Sequence, residues 1–182
     1  MLPKTIKLKK GNIVTFRYLR KEDLDDMWEI FNQVVAEMMY IPVINPVTSQ
    51  FEKENWYFRQ QEENNIVIVS ELDNHVVGHC MIEHIGWDAA FHVGTLGIIV
   101  APLYRKIGIG KKLIQEALNA ADEKFFEKIV LSCFHTNIHA FNLYKKLGFK
   151  EVGYRKQQFK LDGTYYDEIL MELWLKDIKY EE

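Results

Sequence analysis

The side chains best placed to do chemistry gather in one stretch, YRKIGIGKKL, at residues 104–113. An apolar run, LGIIVAPL, ends just before it, and an amphipathic pattern begins inside it. Gly108 and Gly110 stand one residue apart, with Arg105, Lys106, Lys111 and Lys112 around them. The first turn of a helix leaves backbone N–H groups unpaired and carries partial positive charge. Glycines there let the backbone come close to a ligand, and phosphate oxygens suit such a site. A plain strand-to-helix turn uses the same residues, so the spacing alone leaves both readings open. The stretch lacks the third glycine of a dinucleotide fingerprint and the Lys-Ser/Thr end of a P-loop.

Other reactive residue types are sparse. Cys80 and Cys133 are the only cysteines, each in an apolar, strand-like run. They read as buried free thiols in a reducing cytoplasm, with no disulfide framework and no zinc cluster. His75/His79 and His135/His139 have i, i+4 spacing. The first pair spans an expected hairpin and the second a strand-to-helix junction, so neither pair shares a helix face. With no Cys/Asp/Glu set to complete a tetrahedral site, no metal is expected.

These residues must be positioned by the rest of the chain. Residues 13–19 read as a strand, and from Glu22 the apolar period becomes helical through Leu24, Met27, Trp28, Phe31, Val34, Val35 and Met38. Pro42 and Pro46 interrupt it, and residues 49–64 resume as a second, more polar helix. Strands follow at 66–71 and 76–85, joined by Asp73-Asn74, and at 92–100. After the glycine loop, Leu113, Ile114, Ala117, Leu118, Ala121 and Phe125 mark a third helix. A strand at 128–133 and a helix at 138–147 come next, the helix closed by Gly148. Strands at 152–161 and 165–175 end the chain, turned by Asp162-Gly163. The order β-α-α-β-β-β-α-β-α-β-β predicts an α/β fold with a mixed sheet covered on both faces. No repeat, low-complexity segment or long linker divides residues 1–182, which read as a single domain.

The composition agrees. Of 182 residues, 48% are hydrophobic and 27% charged, ordinary for a globular protein. A net charge of −3 gives no basic bias for nucleic acid. No apolar run approaches the ~20 residues of a membrane span, and MLPKTIKLKKGN is not a secretory signal. The expected compartment is the cytoplasm, without nucleic-acid or membrane partners.

Val100, Pro102, Tyr104, Arg105, Gly108 and Gly110 resemble motif A of the GNAT N-acetyltransferase superfamily. Downstream, NIHAFNLYKKLGF at 137–149 looks like the family's motif B. The closing pattern Gly163-x-Tyr165-x-Asp167 and Met171-x-Leu173 fits as well, nearest to the ribosomal-protein-alanine and small-molecule amine branches. The resemblance implies a mostly antiparallel sheet of about seven strands with a splayed central pair, flanked by about four helices. It implies acetyl-coenzyme A as co-substrate, and direct attack by a primary amine in a ternary complex. The acceptor is a small molecule, an amino acid or a protein N-terminus. The pyrophosphate seat falls on Arg105, Lys106, Ile107, Gly108, Ile109, Gly110 and Lys111. The backbone of Ile98, Ile99 and Val100 would pair with the pantetheine arm, and Asn137 would bond it further along. Tyr144 shares a helix face with Asn137 and Ala140 and takes the role of general acid to the leaving thiolate.

Acyl transfer also needs a neutral amine. About one lysine amine in a few thousand is neutral at pH 7, against about one α-amine in ten. Many relatives carry a strand glutamate for this step; here that position is Thr95. Glu83 is the nearest carboxylate expected to face the cleft, with His84, His92 or a water chain as alternatives. Oxyanion stabilisation would come from a main-chain N–H of Ile99 or a neighbour. An aromatic, weakly acidic acceptor cleft is expected from the first two helices and last hairpin: Trp28, Phe31, Met38, Met39, Tyr40, Trp56, Tyr57, Phe159, Tyr165 and Tyr166. Core packing is the simpler reading of Trp28 and Phe31, and the Met39–Ile41 segment is the better cleft candidate. The last hairpin offers an edge for a homodimer. Two rival readings are a non-catalytic acyl-coenzyme A sensor of the same fold and a dinucleotide-binding domain, the second leaving motif B unexplained.

Overall fold

The structure is a computed structural model and describes residues 2–8, 11–63, 65–124 and 126–178. Phe125 and Asn64, expected on the third and second helices, lie outside the described residues, as do Lys9 and Lys10. The strands are β1 (Lys4–Lys7), β2 (Ile13–Tyr18), β3 (Ile66–Leu72), β4 (His75–His84), β5 (Val93–Val100), β6 (Lys128–Phe134), β7 (Lys150–Leu161) and β8 (Thr164–Trp174). The helices are α1 (Leu24–Ala36), α2 (Gln50–Glu62), α3 (Ile109–Asp122) and α4 (Ile138–Lys146).

All eight strands join one sheet in the order β1-β2-β3-β4-β5-β6-β8-β7. Only β5 and β6 run parallel; the other neighbours are antiparallel. The extra strand relative to the expected seven is β1, whose KTIK sequence puts one apolar residue among polar ones. It pairs with β2 from Lys4↔Phe16 to Lys7↔Ile13, and Lys4 forms an ion pair with Glu116 of α3 at 3.3 Å.

The expected splay is present. β5 and β6 pair only through Val93↔Lys128, Gly94↔Ile129 and Thr95↔Val130. Beyond Thr95, β5 stays on β4 up to Val100, and β6 stays on β8 up to Phe134. The sheet therefore opens along the second half of β5.

Each face carries its own core. α3 and α4 cover one side, where Phe16, Ile68, Leu113, Ile129 and Met171 are buried. α1 covers the other, with Met27, Trp28, Val69 and Ile99 buried. The entry to α1 is fixed by Arg17 of β2, whose guanidinium meets Asp23 twice at 2.7 Å and Glu71 at 2.6 and 2.8 Å. Both carboxylates raise the Arg17 pKa, Asp23 most strongly, and the group is charged at any working pH. The α1 helix stops at Ala36, two residues short of its expected end. Met38 just beyond has φ 52°, a left-handed conformation that cannot continue a helix.

The turns match their sequences. Asp73 and Asn74 both have positive φ, 51° and 66°, the pair of signs that a two-residue hairpin turn of matching twist requires. The last hairpin holds an irregularity with no sequence signal: β7 slips against β8 between Arg155 and Phe159. Asp167 fills the gap, accepting from the Gln157 N–H at 2.6 Å and the Tyr154 hydroxyl at 2.5 Å.

Candidate active site

The glycine loop begins where β5 ends. Pro102 to Tyr104 form one tight turn, then Lys106 and Gly108 take left-handed φ of 62° and 102°. At Gly108 this geometry favours glycine. The first helical hydrogen bond of α3 runs from the Lys112 N–H to the Gly108 carbonyl, at 3.2 Å. The amides of Ile109, Gly110 and Lys111 precede it and have no helical acceptor, and Gly108 supplies no side-chain cap. A methyl group on Gly110 would lie 3.8 Å from Ile98, Val100 and Leu143. The start of α3 thus meets the open half of β5 and α4 at one point.

Of the four cations around the loop, two are already engaged. Arg105 donates from Nη1 and Nη2 to Glu37 at 2.7 and 2.5 Å, and from Nε to the Val100 carbonyl at 3.0 Å. Its guanidinium also lies 4.7 Å from the centre of the Tyr40 ring. Lys112 pairs with Glu116 at 2.7 Å. Lys106 and Lys111 are exposed and form no ion pair among the described residues. Loop charge for an anion comes from these two lysines and the free amides.

Strand alternation decides which backbone groups of β5 face the opening. The Ala101 N–H donates to Val77 on the β4 side, at 3.0 Å. Alternate residues point the same way, so Ile99 also faces β4, while Ile98 and Val100 face the gap left by β6. Val100 keeps its N–H free, its carbonyl being held by Arg105. Ile98 therefore presents both backbone groups to the gap. Ile99 contributes only its side chain, on the α1 face.

Across the gap, Asn137 caps α4, its Oδ1 accepting from the Ala140 N–H at 3.2 Å. The side-chain NH₂ of Asn137 has no partner among the described residues. Two turns deeper, Tyr144 is buried among the α3–α4 core side chains and sits edge-on to Phe149, with ring centres 5.9 Å apart. Burial is the largest influence raising the Tyr144 hydroxyl above the usual tyrosine range, so it keeps its proton at neutral pH.

On the opposite, α1 face lies a cavity of about 240 Å³ that reaches Gly97, Ile98 and Ile99 of β5. Trp28, Phe31, Trp56 and the Ile41–Pro42–Val43 segment form one wall, and His79 and Met81 of β4 form the floor. Trp28 stands edge-on to Phe31 and Trp56, with centres 5.0 and 5.5 Å apart. Among the described residues, no Asp, Glu, Lys or Arg lines it, so where the sequence led to a weakly acidic cleft, the described lining is uncharged. The last hairpin does not line it either: Phe159 and Tyr166 pack on Phe134, each 5.1 Å away, and Tyr165 is exposed under Lys160.

Glu83 pairs across the sheet with Thr95. It is half-buried, two strand positions beyond Met81, and outside the cavity lining. His84 is stacked between Phe91 and Phe126, at 4.3 and 4.4 Å, with Nδ1 on the Phe91 carbonyl. Among the described residues, no three His, Cys, Asp or Glu side chains form a group that could hold a metal ion. No helix of the described chain is long and apolar enough to cross a membrane.

The profile of the acetyltransferase (GNAT) family matches residues 25–149, which contain the open half of β5, the glycine loop and α4. The chain belongs to this family. An N-alpha-acetyltransferase of Sulfurisphaera tokodaii is 34% identical over 154 residues, covering 79% of this chain and 84% of that one. Among solved structures, a ribosomal-protein-alanine N-acetyltransferase from Brucella melitensis superimposes with TM-score 0.84 at 24% identity, over 87% of this chain and 98% of the other. A phosphinothricin acetyltransferase from Sinorhizobium meliloti, solved in complex with acetyl-coenzyme A, gives 0.83 at 20% identity, over 88% of each chain. By family, this GNAT protein is an acetyl-coenzyme A-dependent acyltransferase acting on amines.

Sequence reading missed two features of this acetyltransferase. One is Glu37, the partner of Arg105, 68 residues away in the chain, which no local pattern links to the loop. The other is His79, noticed only as half of a metal-spaced pair. Alternation along HVVGHCMIEH puts His79, Met81 and Glu83 on one face, which was the available signal.

Proposed function

We propose that the chain, as one acetyltransferase domain, transfers the acetyl group of acetyl-coenzyme A directly to a primary amine seated on the α1 face of β5. The observation that carries this reading is the opening beside Ile98. Uncapped amides of Ile109, Gly110 and Lys111, with Lys106 and Lys111, suit the pyrophosphate. The free backbone of Ile98 and the Val100 N–H suit the amide groups of the pantetheine arm, with the Asn137 NH₂ beside them. The N–H of Ile98, rather than that of Ile99, is the donor placed to meet the oxyanion as charge develops on the thioester oxygen.

The thiols support direct transfer rather than an acetyl-cysteine. Cys80 is fully buried and its pKa is raised by desolvation. Cys133 is pushed up to about 11, chiefly by burial. Neither supplies a thiolate at neutral pH, and the thiolate is the nucleophilic form. Tyr144, kept protonated, returns a proton to the departing sulfur. Glu83 receives the proton of the amine through water, since it stands outside the cavity. For an α-amine near pKa 7.7–8.0, about a tenth of which is neutral at pH 7, this suffices.

The experiment is a thiol-release assay with acetyl-coenzyme A and a panel of α-amines and lysine-type amines, with mass analysis of the product. The reading expects N-acetylated α-amine in step with thiol. Cofactor binding without thiol release from any amine would instead support the sensor of the same fold.

A further inference from the structure

The α1-face cavity touches β5 at Gly97, Ile98 and Ile99, where the thioester is placed above. Phe31, Val43, Trp56 and Met81 around it, and Gly97 and Ile98 of the strand, are half-buried and keep accessible surface. Trp28 Nε1 and His79 Nδ1 are wholly buried, so neither atom reaches the cavity. Met81 lies over Gly97: a side chain at position 97 would begin 3.2 Å from its Cε and 3.5 Å from its Cγ. At about 240 Å³, the cavity is smaller than the range of about 300–1,000 Å³ typical of drug-sized sites. It is larger than an apolar cavity of about 150 Å³ that admits benzene.

Charge and direction choose between the two groups that could fill it. Among the described residues no Asp, Glu, Lys or Arg lines the cavity, and burial keeps His79 neutral at pH 7. About nine α-amines in ten are charged at that pH, and a charge entering this lining would lose water without gaining a partner. In the acyl-transfer reading the thioester oxygen meets the Ile98 N–H, and the sulfur meets Tyr144 of the α3–α4 core. A trigonal carbon sends its third substituent away from the other two, and the side away from that core is the α1 face. The acyl chain thus points to the cavity. An amine attacks across the plane of the carbon, along the run of β5, where exposed Thr95 pairs with Glu83 outside the cavity.

We infer that the cavity is an acyl-chain pocket, and that the protein accepts propionyl and butyryl thioesters of coenzyme A and holds them more tightly than acetyl. This rests on the acyl-transfer reading above and widens the group it carries. The step itself is unchanged: the C–S bond breaks, a C–N bond forms, the thiolate takes a proton from Tyr144, and the amine loses one to Glu83 through water. Each methylene moved from water into an apolar site improves affinity about fourfold, so butyryl, with two more than acetyl, gains about tenfold or more. A succinyl chain of the same length brings a carboxylate to a lining without a cation and forfeits that gain. Met81, unbranched and adaptable, closes the floor and limits the chain length.

Calorimetry without amine tests this with acetyl-, butyryl-, hexanoyl- and succinyl-coenzyme A. Wild type should bind butyryl about tenfold or more tightly than acetyl, and succinyl no more tightly than acetyl. Val43→Trp narrows the wall and should bring the butyryl-to-acetyl ratio close to one. Met81→Ala deepens the floor and should make hexanoyl bind more tightly than butyryl. Equal affinity of wild type for acetyl and butyryl overturns the pocket, as does a butyryl preference that survives Val43→Trp. An unchanged order of chain lengths in Met81→Ala overturns the role of Met81. Thiol release with alaninamide as acceptor separates the two readings. Selective binding of butyryl without thiol release from either thioester supports the pocket and sinks acyl transfer. Acetylated amine in step with thiol, but no selectivity in binding, does the reverse and leaves the cavity to the acceptor.

Discussion

Arg105 of the glycine loop and Glu37 at the end of α1 meet as a two-pronged pair, with Nη1 and Nη2 at 2.7 and 2.5 Å from the two carboxylate oxygens. Arg105 also holds the Val100 carbonyl and covers Tyr40, so one side chain joins the glycine loop to the residue just before the Ile41–Val43 wall of the α1-face cavity. Its guanidinium is already engaged by the Glu37 carboxylate. Arg105→Ala is therefore expected to change acetyl-coenzyme A affinity by less than about threefold. It should cost roughly 1.5–3 kcal/mol of stability, the scale of hydrogen bonds to charged groups, or about 3–12 °C in melting temperature. Calorimetric titration and thermal melts check the two halves. A loss of affinity above about tenfold with an unchanged melt would place Arg105 on the pyrophosphate instead.

Gly110 offers a contrast between folding and binding. A methyl group there meets only ordinary contacts at 3.8 Å, and alanine favours helix over glycine by up to about 1 kcal/mol. Gly110→Ala should keep or slightly raise the melting temperature. The added methyl stands between the amides and Ile98, Val100 and Leu143, so KM for acetyl-coenzyme A should rise by about tenfold or more. Gly108→Ala should instead destabilise, because φ of 102° strains any side chain. Steady-state kinetics and melts on both variants give the comparison.

Tyr144→Phe keeps the ring in its place beside Phe149 and removes only the hydroxyl. Turnover should fall about 10²-fold, the lower scale of general acid catalysis, with acetyl-coenzyme A affinity nearly unchanged. Burial raises the tyrosine pKa, so its loss of a proton should leave no alkaline limb in the kcat profile below about pH 10. An unchanged rate in the variant would leave Tyr144 as a core residue only.

Much of this architecture was legible in the sequence because it depends on local pattern. Apolar periods of two and of about 3.6 located β2 to β8 and all four helices, and Asp73-Asn74 and Asp162-Gly163 fixed their hairpins. β1 escaped because KTIK exposes most of its side chains. The splay was expected from resemblance alone, since no periodicity reports where two parallel strands part. In the site, residue types gave the loop amides and the cap at Asn137. They did not give the direction of Arg105, which Glu37 sets from far along the chain. Nor did they show which of Ile98, Ile99 and Val100 faces the gap, because that depends on the sheet register. The neutral cavity was hidden for the same reason: its floor comes from β4 and its wall from α1, α2 and the loop between them.

His79 gives the fold an acid-sensitive point. Burial lowers its pKa from the usual 6.5 to about 4. Between those values the unfolded chain binds a proton that the folded one refuses, so stability is full above pH 6.5 and falls as pH drops toward 4. The loss amounts to about 3 kcal/mol at 1.36 kcal/mol per pH unit. Urea unfolding at pH 7 and pH 4.5 should show wild type losing more stability than His79→Leu. Equal losses would mean that the imidazole is solvated in the native state.

Initial-velocity kinetics with both substrates varied test direct transfer most squarely. With Cys80 and Cys133 buried as thiols and the α1-face cavity lined by Ile98, double-reciprocal lines should intersect, and the protein incubated with acetyl-coenzyme A alone should gain no acetyl group. Parallel lines together with an acetylated protein that passes its acetyl group to added amine would contradict the account.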